Sequence, residues 1–291
     1  MCADVLIVGP ANVDLVVPVE RRPAGGETVL GGDTAVFPGG KGANTAVAAG
    51  RLGADVALLG AVGDDSYGTL LLDSLRAAGV STELVRTTDR PTGIAYITVT
   101  PDGENAILVS PGANSSLRPE DVDTVLDGVK VLVVSLELPV PTVEYVVAAA
   151  AAKGVRVLLN LSPVAEVSPA TLAALDVLLV NEHEAAWLLD TEPGADPRRL
   201  LESGPRAAVV TLGAAGVVVV EGDGVTEVSS PKVEPVDTTG AGDAFAGALA
   251  ASLAAGAGLV DAARRAVGVA AISVTRHGAQ PSYPTAAELA E

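Results

Sequence analysis

Short runs of aliphatic and β-branched residues alternate along the chain with stretches rich in alanine and leucine. Six apolar runs are continuous, as expected for strands covered on both faces of a sheet: Val5–Val8, Val56–Ala61, Val131–Ser135, Val155–Asn160, Val177–Asn181 and Ala207–Thr211. Intervening stretches favour helices at Thr45–Leu52, Tyr67–Ala78, Pro141–Ala152 and Glu182–Leu189. This alternation predicts an α/β fold with a doubly wound, mostly parallel sheet flanked by helices.

Two regions depart from the alternation. Residues 15–36 and 94–109 carry β-rich runs around turns, Pro23–Gly26 in the first and Pro101-Asp102-Gly103 in the second. A turn of the Asp-Gly type between two β-rich runs is typical of a hairpin. We predict one α/β domain over residues 1–291, with these two regions forming a small β-sheet lid.

Polar residues follow several of the predicted strands at their carboxyl ends. In open parallel sheets, ligands bind outside these ends, so the polar residues there define the expected site. They are Asn12 and Asp14 after the first strand, Glu137 after Val131–Ser135, Asn181 and Glu184 after Val177–Val180, and Thr211 after Ala207–Val210.

Composition excludes several classes of function. A formal net charge of −18 and an aromatic content of 2% disfavour binding to nucleic acids and anionic membranes. With Cys2 as the only cysteine and two histidines, a metal site built on those residue types is not expected. The chain start lacks the pattern of a signal peptide, which predicts a cytoplasmic protein. The triplet Asn114-Ser115-Ser116 then counts as a chance match to a glycosylation acceptor.

The strongest chemical signal is the segment from Asp237 to Phe245, with sequence DTTGAGDAF. Gly240 and Gly242 precede an alanine-rich stretch predicted to be a helix from about Asp243 to Ala255. Glycine-rich backbone and a helix N-terminus together form an anion hole suited to a phosphate in transfer. Asp243 at its mouth is placed to take a proton from a hydroxyl group. Taken alone, the same segment equally fits a helix with Asp243 as its N-cap.

A second glycine-rich segment extends from Phe37 to Asn44, with sequence FPGGKGAN. Its glycines allow close backbone approach to a ligand, and Lys41 and Asn44 supply polar groups for hydroxyls. An ordinary turn with a solvent-exposed lysine is the alternative. A P-loop is excluded because Gly42 follows Lys41 where Ser or Thr is required.

Two further motifs suit a nucleotide. The pair Asn181 and Glu184 fits Mg²⁺ held through water, and equally fits a helix N-cap with a capping box. The loop Thr211–Gly216, which includes Gly213 and Ala214, suits the lining of a nucleotide site. The dinucleotide fingerprint is absent from Gly240-x-Gly242, because Phe245 follows where a third small residue is needed.

Taken together, these motifs resemble the PfkB (ribokinase-like) carbohydrate kinase family. The two segments Gly39–Asn44 and Asp237–Asp243 match its two signature regions in type, order and separation. The match continues along the whole chain, from Gly9-x-x-Asn12-x-Asp14 to Gly278–Ser282, and is nearest to the ribokinase branch of the family. The resemblance implies an α/β core, a β lid and a homodimer joined through the lids.

The resemblance also implies the roles of individual residues. For the sugar it implies Asn12, Asp14, Gly39, Gly40, Lys41, Asn44 and Glu137, with Asp243 as the catalytic base. For the anion hole it implies the backbone of Gly240, Ala241, Gly242 and Asp243. For ATP and Mg²⁺ it implies Asn181, Glu184, Thr211, Gly213, Ala214, Gly216 and Gly242. For a monovalent cation, K⁺, it implies Asp237, Thr239, Ser273, Arg276, Gly278 and Ser282.

The expected reaction is transfer of the ATP γ-phosphate to the primary hydroxyl of a pentose, D-ribose first. Related kinases of fructose, deoxyribose or a nucleoside are alternatives, since the lid residues Ala95, Ile97 and Ile107 do not decide the sugar. A non-catalytic sugar sensor is disfavoured by the intact Asp243 and glycine pair. A dinucleotide oxidoreductase is disfavoured because Gly9-Pro10-Ala11-Asn12, after the first strand, lacks the glycine fingerprint.

Overall fold

The structure is a computed structural model that describes residues 3–289, so Cys2 lies outside the described residues. Thirteen strands form within this range. In chain order they are β1 (Val5–Val8), β2 (Asn12–Pro18), β3 (Ala35–Gly39), β4 (Val56–Gly63), β5 (Val85–Thr88), β6 (Gly93–Val99), β7 (Asn105–Ser110), β8 (Val131–Ser135), β9 (Arg156–Asn160), β10 (Val177–Asn181), β11 (Ala207–Thr211), β12 (Gly216–Glu221) and β13 (Gly224–Ser229).

Nine of these strands form the main sheet, in the order β13-β12-β11-β10-β9-β8-β1-β4-β5. Its pairs are parallel from β11 to β5, and β12 and β13 add an antiparallel edge. The predicted doubly wound, mostly parallel sheet is therefore confirmed. β1, β8, β10 and β11 have the predicted bounds, because strands buried on both faces are continuous apolar runs.

Eight α-helices connect the strands in the described range. They are α1 (Lys41–Arg51), α2 (Ser66–Ala77), α3 (Val140–Ala152), α4 (Pro169–Ala173), α5 (Glu182–Leu189), α6 (Arg199–Glu202), α7 (Ala241–Ala254) and α8 (Leu259–Ser273). The predicted starts of two helices were wrong: α1 begins at Lys41 rather than Thr45, and α7 at Ala241 rather than about Asp243. In both, a positive-φ glycine N-cap, Gly40 or Gly240, lets the helix start directly after the turn.

Two apolar cores lie on opposite faces of the main sheet. Side chains alternate along β1, with Val5 and Ile7 facing one core and Leu6 and Val8 the other. Helices α1, α2, α7 and α8 cover the first face, and the second is covered by α3, α4, α5 and α6. Within the first core α7 packs closely on α1, since a Cβ at Gly247 would lie 2.4 Å from the Thr45 carbonyl oxygen. This close contact brings the N-terminal turns of both helices together.

The remaining four strands form a separate small sheet, in the order β3-β2-β6-β7. Both regions predicted for it contribute, although in the first the second β-rich run, expected over Thr28–Val36, forms a strand only from Ala35. Residues 19–34 contain turns but no strand, and β3 begins only at Ala35 and continues to Gly39. Pro23 and four glycines interrupt residues 23–32. Phe37–Gly39, in the glycine-rich segment for which an ordinary turn was the alternative, pair with β2 through Asn12↔Gly39 and its neighbours.

Among residues 3–289, no helix has both the length and the apolar content needed to cross a bilayer.

Candidate functional site

The N-terminal turn of α7 is shaped by Gly240, which lies in the left-handed region at φ 72°. A Cβ at this position would lie 2.4 Å from the Tyr283 hydroxyl, so a side chain is excluded. That hydroxyl donates to the Gly240 carbonyl oxygen at 3.0 Å, and the Ala241 amide donates to Thr238 O at 3.2 Å. The first amides of a helix have no intrahelical acceptor, so those of Gly242 and Asp243 remain for an anion.

Asp243 is the third residue of α7 and not its N-cap, so the capping alternative for this aspartate is wrong. Its carboxylate is buried, with the residue 6% exposed, and accepts a hydrogen bond from Asn44 Nδ2 at 2.9 Å. Burial raises the pKa of Asp243, while the charge of Lys41 and the Asn44 hydrogen bond oppose the rise. A buried carboxylate in such surroundings is suited to accept a proton from a bound hydroxyl.

Lys41 lies at the first position of α1, between carboxylates from several elements. Its backbone amide donates to Glu137 Oε2 at 3.3 Å. The charge of Asp243 is the main cause that raises the pKa of the Lys41 ammonium; burial opposes it, and Glu137 and Glu184 add to it. Lys41 is therefore held in its charged form between the segment after β8 and the start of α7.

Asp14 reaches this cluster from the small sheet. Its carboxylate lies against Gly39 on β3, where a Cβ would be 2.2 Å from Asp14 Oδ2. Burial, with the charges of Glu137 and Asp243, raises the pKa of Asp14 to about 7. Asp14 thus adds a third carboxylate beside Glu137 and Asp243, the two that act on the Lys41 ammonium, and such a cluster binds cations, protons or the donor hydroxyls of a polyol.

Asn12 is fixed by Asn114, a residue that the sequence did not single out for function. Asn114 Nδ2 donates to Asn12 Oδ1 at 2.8 Å and to Ala11 O at 3.1 Å, and the Ala11 amide donates to Asn114 Oδ1 at 3.0 Å. Since Asn12 Oδ1 is engaged as an acceptor, its own amide group is left to donate. Asn114 is buried, at 4% exposure, so this asparagine of the glycosylation-like triplet holds Asn12 and Ala11 in place and is not accessible to a glycan.

The expected nucleotide residues lie at the ends of β10 and β11. Asn181 caps α5 through bonds from the amides of His183 and Glu184, and Glu184 Oε2 accepts from the Asn181 amide at 2.7 Å. The capping box is therefore present. Thr211 ends β11, and the turn Gly213–Ala215, with an exposed Ala214, leads to Gly216 at φ 103°.

These residues fit Mg²⁺ held mainly by water and phosphate. Among the described residues, no three acidic, histidine or cysteine side chains form a metal cluster. Mg²⁺ commonly keeps several waters and is held by one or two carboxylates together with substrate phosphates. Glu184 supplies such a carboxylate, within range of the Lys41 ammonium.

The residues expected around a monovalent cation lie in two loops that Asp237 joins and, for Ser273, at the C-terminal end of α8. The Asp237 carboxylate accepts from the amides of Thr239, at 2.9 Å, and Gly278, at 2.8 Å, and these bonds help to hold its pKa below the usual range against burial. Other predicted side chains bond locally: Ser273 Oγ to Ala270 O, Ser282 Oγ to Ala279 O, and Arg276 to Glu288.

Comparison with known proteins places these features in a family. The sequence profile described as pfkB family carbohydrate kinase matches residues 3–286. The chain belongs to this family. It is 38% identical over 292 residues to the ribokinase of Bacillus subtilis, covering 99% of this chain and 98% of that protein. It is 34% identical over 293 residues to the deoxyribokinase of Salmonella typhi, covering 97% and 96%.

Solved structures of family members have the same fold. The ribokinase of Thermotoga maritima superposes with a TM-score of 0.91 at 33% identity, over 99% of this chain and 98% of that chain. The Arabidopsis thaliana ribokinase, solved with ribose and ATP, gives a TM-score of 0.92 at 28% identity, over 100% and 98%. The family identified from the motifs is confirmed, and with it the chemical class of sugar kinase.

Proposed function

We propose that the protein transfers the γ-phosphate of ATP to the primary hydroxyl of D-ribose and forms ribose 5-phosphate. The observation that carries the proposal is the buried carboxylate of Asp243 at the N-terminus of α7, with Lys41 beside it. A proton acceptor and an anion-binding helix end then lie next to each other, which is the pairing that phosphoryl transfer to an alcohol requires.

The sugar is proposed to bind between the small sheet and the start of α1. Asp14 and Glu137 accept hydrogen bonds from its hydroxyls, and the amide groups of Asn12 and Asn44 donate to them. Gly39 and Gly40 allow the backbone to approach the ring, and Lys41 donates from the side of α1. Its primary hydroxyl then lies next to Asp243, with the small sheet as a lid.

Asp243 is proposed to remove the proton from the primary hydroxyl as the oxygen attacks the γ-phosphate. The backbone of Gly240–Asp243 forms the anion hole, and the exposed Gly242 leaves space for the phosphate because a Cβ there would meet no atom within 4 Å. The amides of Gly242 and Asp243 are the donors that α7 leaves available.

The nucleotide is proposed to lie along the ends of β10 and β11, against Thr211, Gly213, Ala214 and Gly216. Glu184 and Asn181 would hold Mg²⁺ through water. The ion would neutralise charge that builds up on the phosphates.

K⁺ is proposed to bind between the two loops that Asp237 joins, with Thr239, Ser273, Arg276, Gly278 and Ser282 contributing main-chain oxygens. The loop that contains Thr239 runs directly into Gly240 and the start of α7. Order imposed on this loop by an ion would therefore be passed to the anion hole.

A homodimer joined through the lids is supported by apolar side chains on the outer face of the small sheet. Val36, Tyr96 and Leu108 are exposed and lie in one row across the sheet in the pairing register, whereas Leu15, between Val36 and Tyr96, is partly buried against the first core. Leu108 is 69% exposed and Tyr96 46%. We expect Leu108→Glu to convert a dimer into a monomer in light scattering with size-exclusion chromatography, and a wild-type monomer would contradict the proposal.

The experiment that tests the proposed reaction is ³¹P NMR of the product formed from Mg-ATP and D-ribose. We expect ribose 5-phosphate from the wild type and little product from Asp243→Asn. Ser252→Ala is a matched control, because Ser252 is a buried residue of the same helix whose hydroxyl bonds only to Ala248 O. Phosphate on another hydroxyl, or equal product from Asp243→Asn, would contradict the assignment of the base.

2-Deoxyribose is a second candidate substrate, favoured by the similarity to a deoxyribokinase reported above. The two sugars differ by one hydroxyl, and a site built to bond that hydroxyl loses partners with the deoxy sugar. The ratio of kcat/KM for ribose and 2-deoxyribose therefore decides between them.

A further inference from the structure

A continuous line of hydrogen bonds runs from α2 to Asp243 through two side-chain amides. Ser74 Oγ donates to Gln280 Oε1 at 2.6 Å, and Gln280 Nε2 donates to Asn44 Oδ1 at 3.0 Å. Asn44 Nδ2 then donates to Asp243 Oδ2 at 2.9 Å. Gln280 and Asn44 are 2% and 5% exposed, so water does not readily replace these partners.

The hydrogen bonds in this line have one favourable donor-to-acceptor direction, from Ser74 toward Asp243. An ionised carboxylate only accepts hydrogen bonds, so Asn44 must turn its amide nitrogen toward Asp243. Its oxygen then faces Gln280, which must donate, and the oxygen of Gln280 must accept from Ser74. The reverse arrangement would place the Asn44 oxygen against the carboxylate, an unfavourable contact between two acceptors at a buried position.

We infer that Gln280 and Ser74 are positioning residues, which hold Asn44 in the orientation that donates to Asp243. Their effect on turnover rests on the proposed function, whereas their effect on Asp243 itself does not. Neither residue was assigned a role from the sequence. Ser74 lies on α2 and Gln280 in the C-terminal segment, 206 residues apart, so only the fold brings them together.

The inference predicts a specific effect on protonation. Asn44's hydrogen bond lowers the pKa of Asp243 and so opposes the effect of burial. Without it, Asp243 stays protonated to higher pH, and a protonated carboxyl cannot take the proton of a hydroxyl. The other titratable groups that interact with Asp243 are unchanged by this loss: Lys41, Asp14, Glu137 and Tyr283.

The test compares the pH dependence of kcat in four variants with that of the wild type. Ser74→Ala and Gln280→Met remove the donors, and we expect kcat at pH 6.5 to fall about tenfold, with the acid limb displaced upward and recovery at high pH. Gln280→Glu should have a larger effect, because its carboxylate draws the Asn44 amide nitrogen away from Asp243. Ser74→Thr keeps the hydroxyl and should restore the wild-type profile.

A purely structural role would lower kcat equally at every pH, and that result, or unchanged profiles, would overturn the inference. Failure of the proposed function is a separate outcome, seen as a wild type without sugar turnover. The inference is then decided by ¹³C NMR titration of labelled aspartates, with the Asp243 signal assigned from Asp243→Asn. An upward shift of that titration in Gln280→Met supports it, and an identical titration rejects it.

Discussion

Replacing Asp14 with asparagine should stabilise the protein at alkaline pH while weakening its interaction with a sugar. Burial, with the charges of Glu137 and Asp243, raises the pKa of Asp14 from 3.8 to about 7. Between these two values the folded protein binds a proton that the unfolded chain has released. Linkage then requires the free energy of unfolding to decrease as the pH rises from about 4 to about 7.

The size of the effect follows from the shift. About three pH units, at about 1.4 kcal/mol per unit, correspond to about 4 kcal/mol above pH 7. Partial access of water to Asp14 reduces this, so we expect Asp14→Asn to gain about 1–3 kcal/mol at pH 8. At pH 5, where Asp14 is protonated in the folded state, the gain should be less than half as large.

Urea unfolding at pH 5 and pH 8 measures this difference. Asp33→Asn is the matched control, because it removes one charge from an exposed loop position before β3. Calorimetry with ribose should show affinity about 10–100-fold weaker for Asp14→Asn, since a charged acceptor of a sugar hydroxyl is lost. A variant no more stable than wild type at pH 8, or equally stabilised at both pH values, would refute the reasoning.

Four further changes test other parts of the site. Asp243→Asn should lower kcat by about 10²–10⁴ in an ADP-release assay with ribose affinity kept; near-normal turnover would contradict its role as base. Asn114→Ala removes the hydrogen bond that fixes Asn12 and should raise the KM for ribose about tenfold. An unchanged KM would contradict the proposal that Asn12 binds the sugar. Tyr283→Phe removes one of two donors to the Gly240 carbonyl oxygen, since the Ala244 amide also donates to it, and should cost about 1 kcal/mol in thermal unfolding; equal stability would argue against that bond. Asp237→Ala should reduce the preference for K⁺ over Na⁺ in kcat, and a wild type indifferent to the two ions would remove the cation proposal.

The main sheet was predictable because its strands are buried on both faces. Continuous apolar runs form β1, β8, β10 and β11, and the limits of each run mark where the strand begins and ends. Edge strands lack this signal: β5 is Val-Arg-Thr-Thr and β13 is partly exposed, so neither was predicted. β12 was hidden within a longer apolar stretch that begins with β11.

The helix starts were harder to predict, since they depend on glycines in unusual backbone conformations. Glycine has a low helix propensity, and glycines lie close to both Lys41 and Asp243. The sequence-based prediction therefore placed the starts of α1 and α7 a few residues later than the structure does. In the fold, Gly42 is required because a Cβ there would lie 2.5 Å from the Gly9 carbonyl carbon. Tertiary packing thus overrides local propensity at both N-termini.

The supporting residues of the site could not be predicted from local patterns. Each of them donates a hydrogen bond to a residue far away in the sequence: Tyr283 to Gly240 across 43 residues, Asn114 to Asn12 across 102, and Gln280 to Asn44 across 236. No spacing rule connects such pairs. The residues proposed to meet the ligand were found because they lie in glycine-rich segments or at strand ends, where sequence carries a signal.

The most direct test of the central claim is ADP release by the purified protein with Mg-ATP and K⁺, compared across D-ribose, 2-deoxyribose, D-fructose and adenosine. The proposed function predicts a kcat/KM for ribose at least about tenfold above each of the others, a difference of about 1.4 kcal/mol in transition-state binding. No sugar-dependent ADP release, or a clear preference for one of the other three, would contradict it.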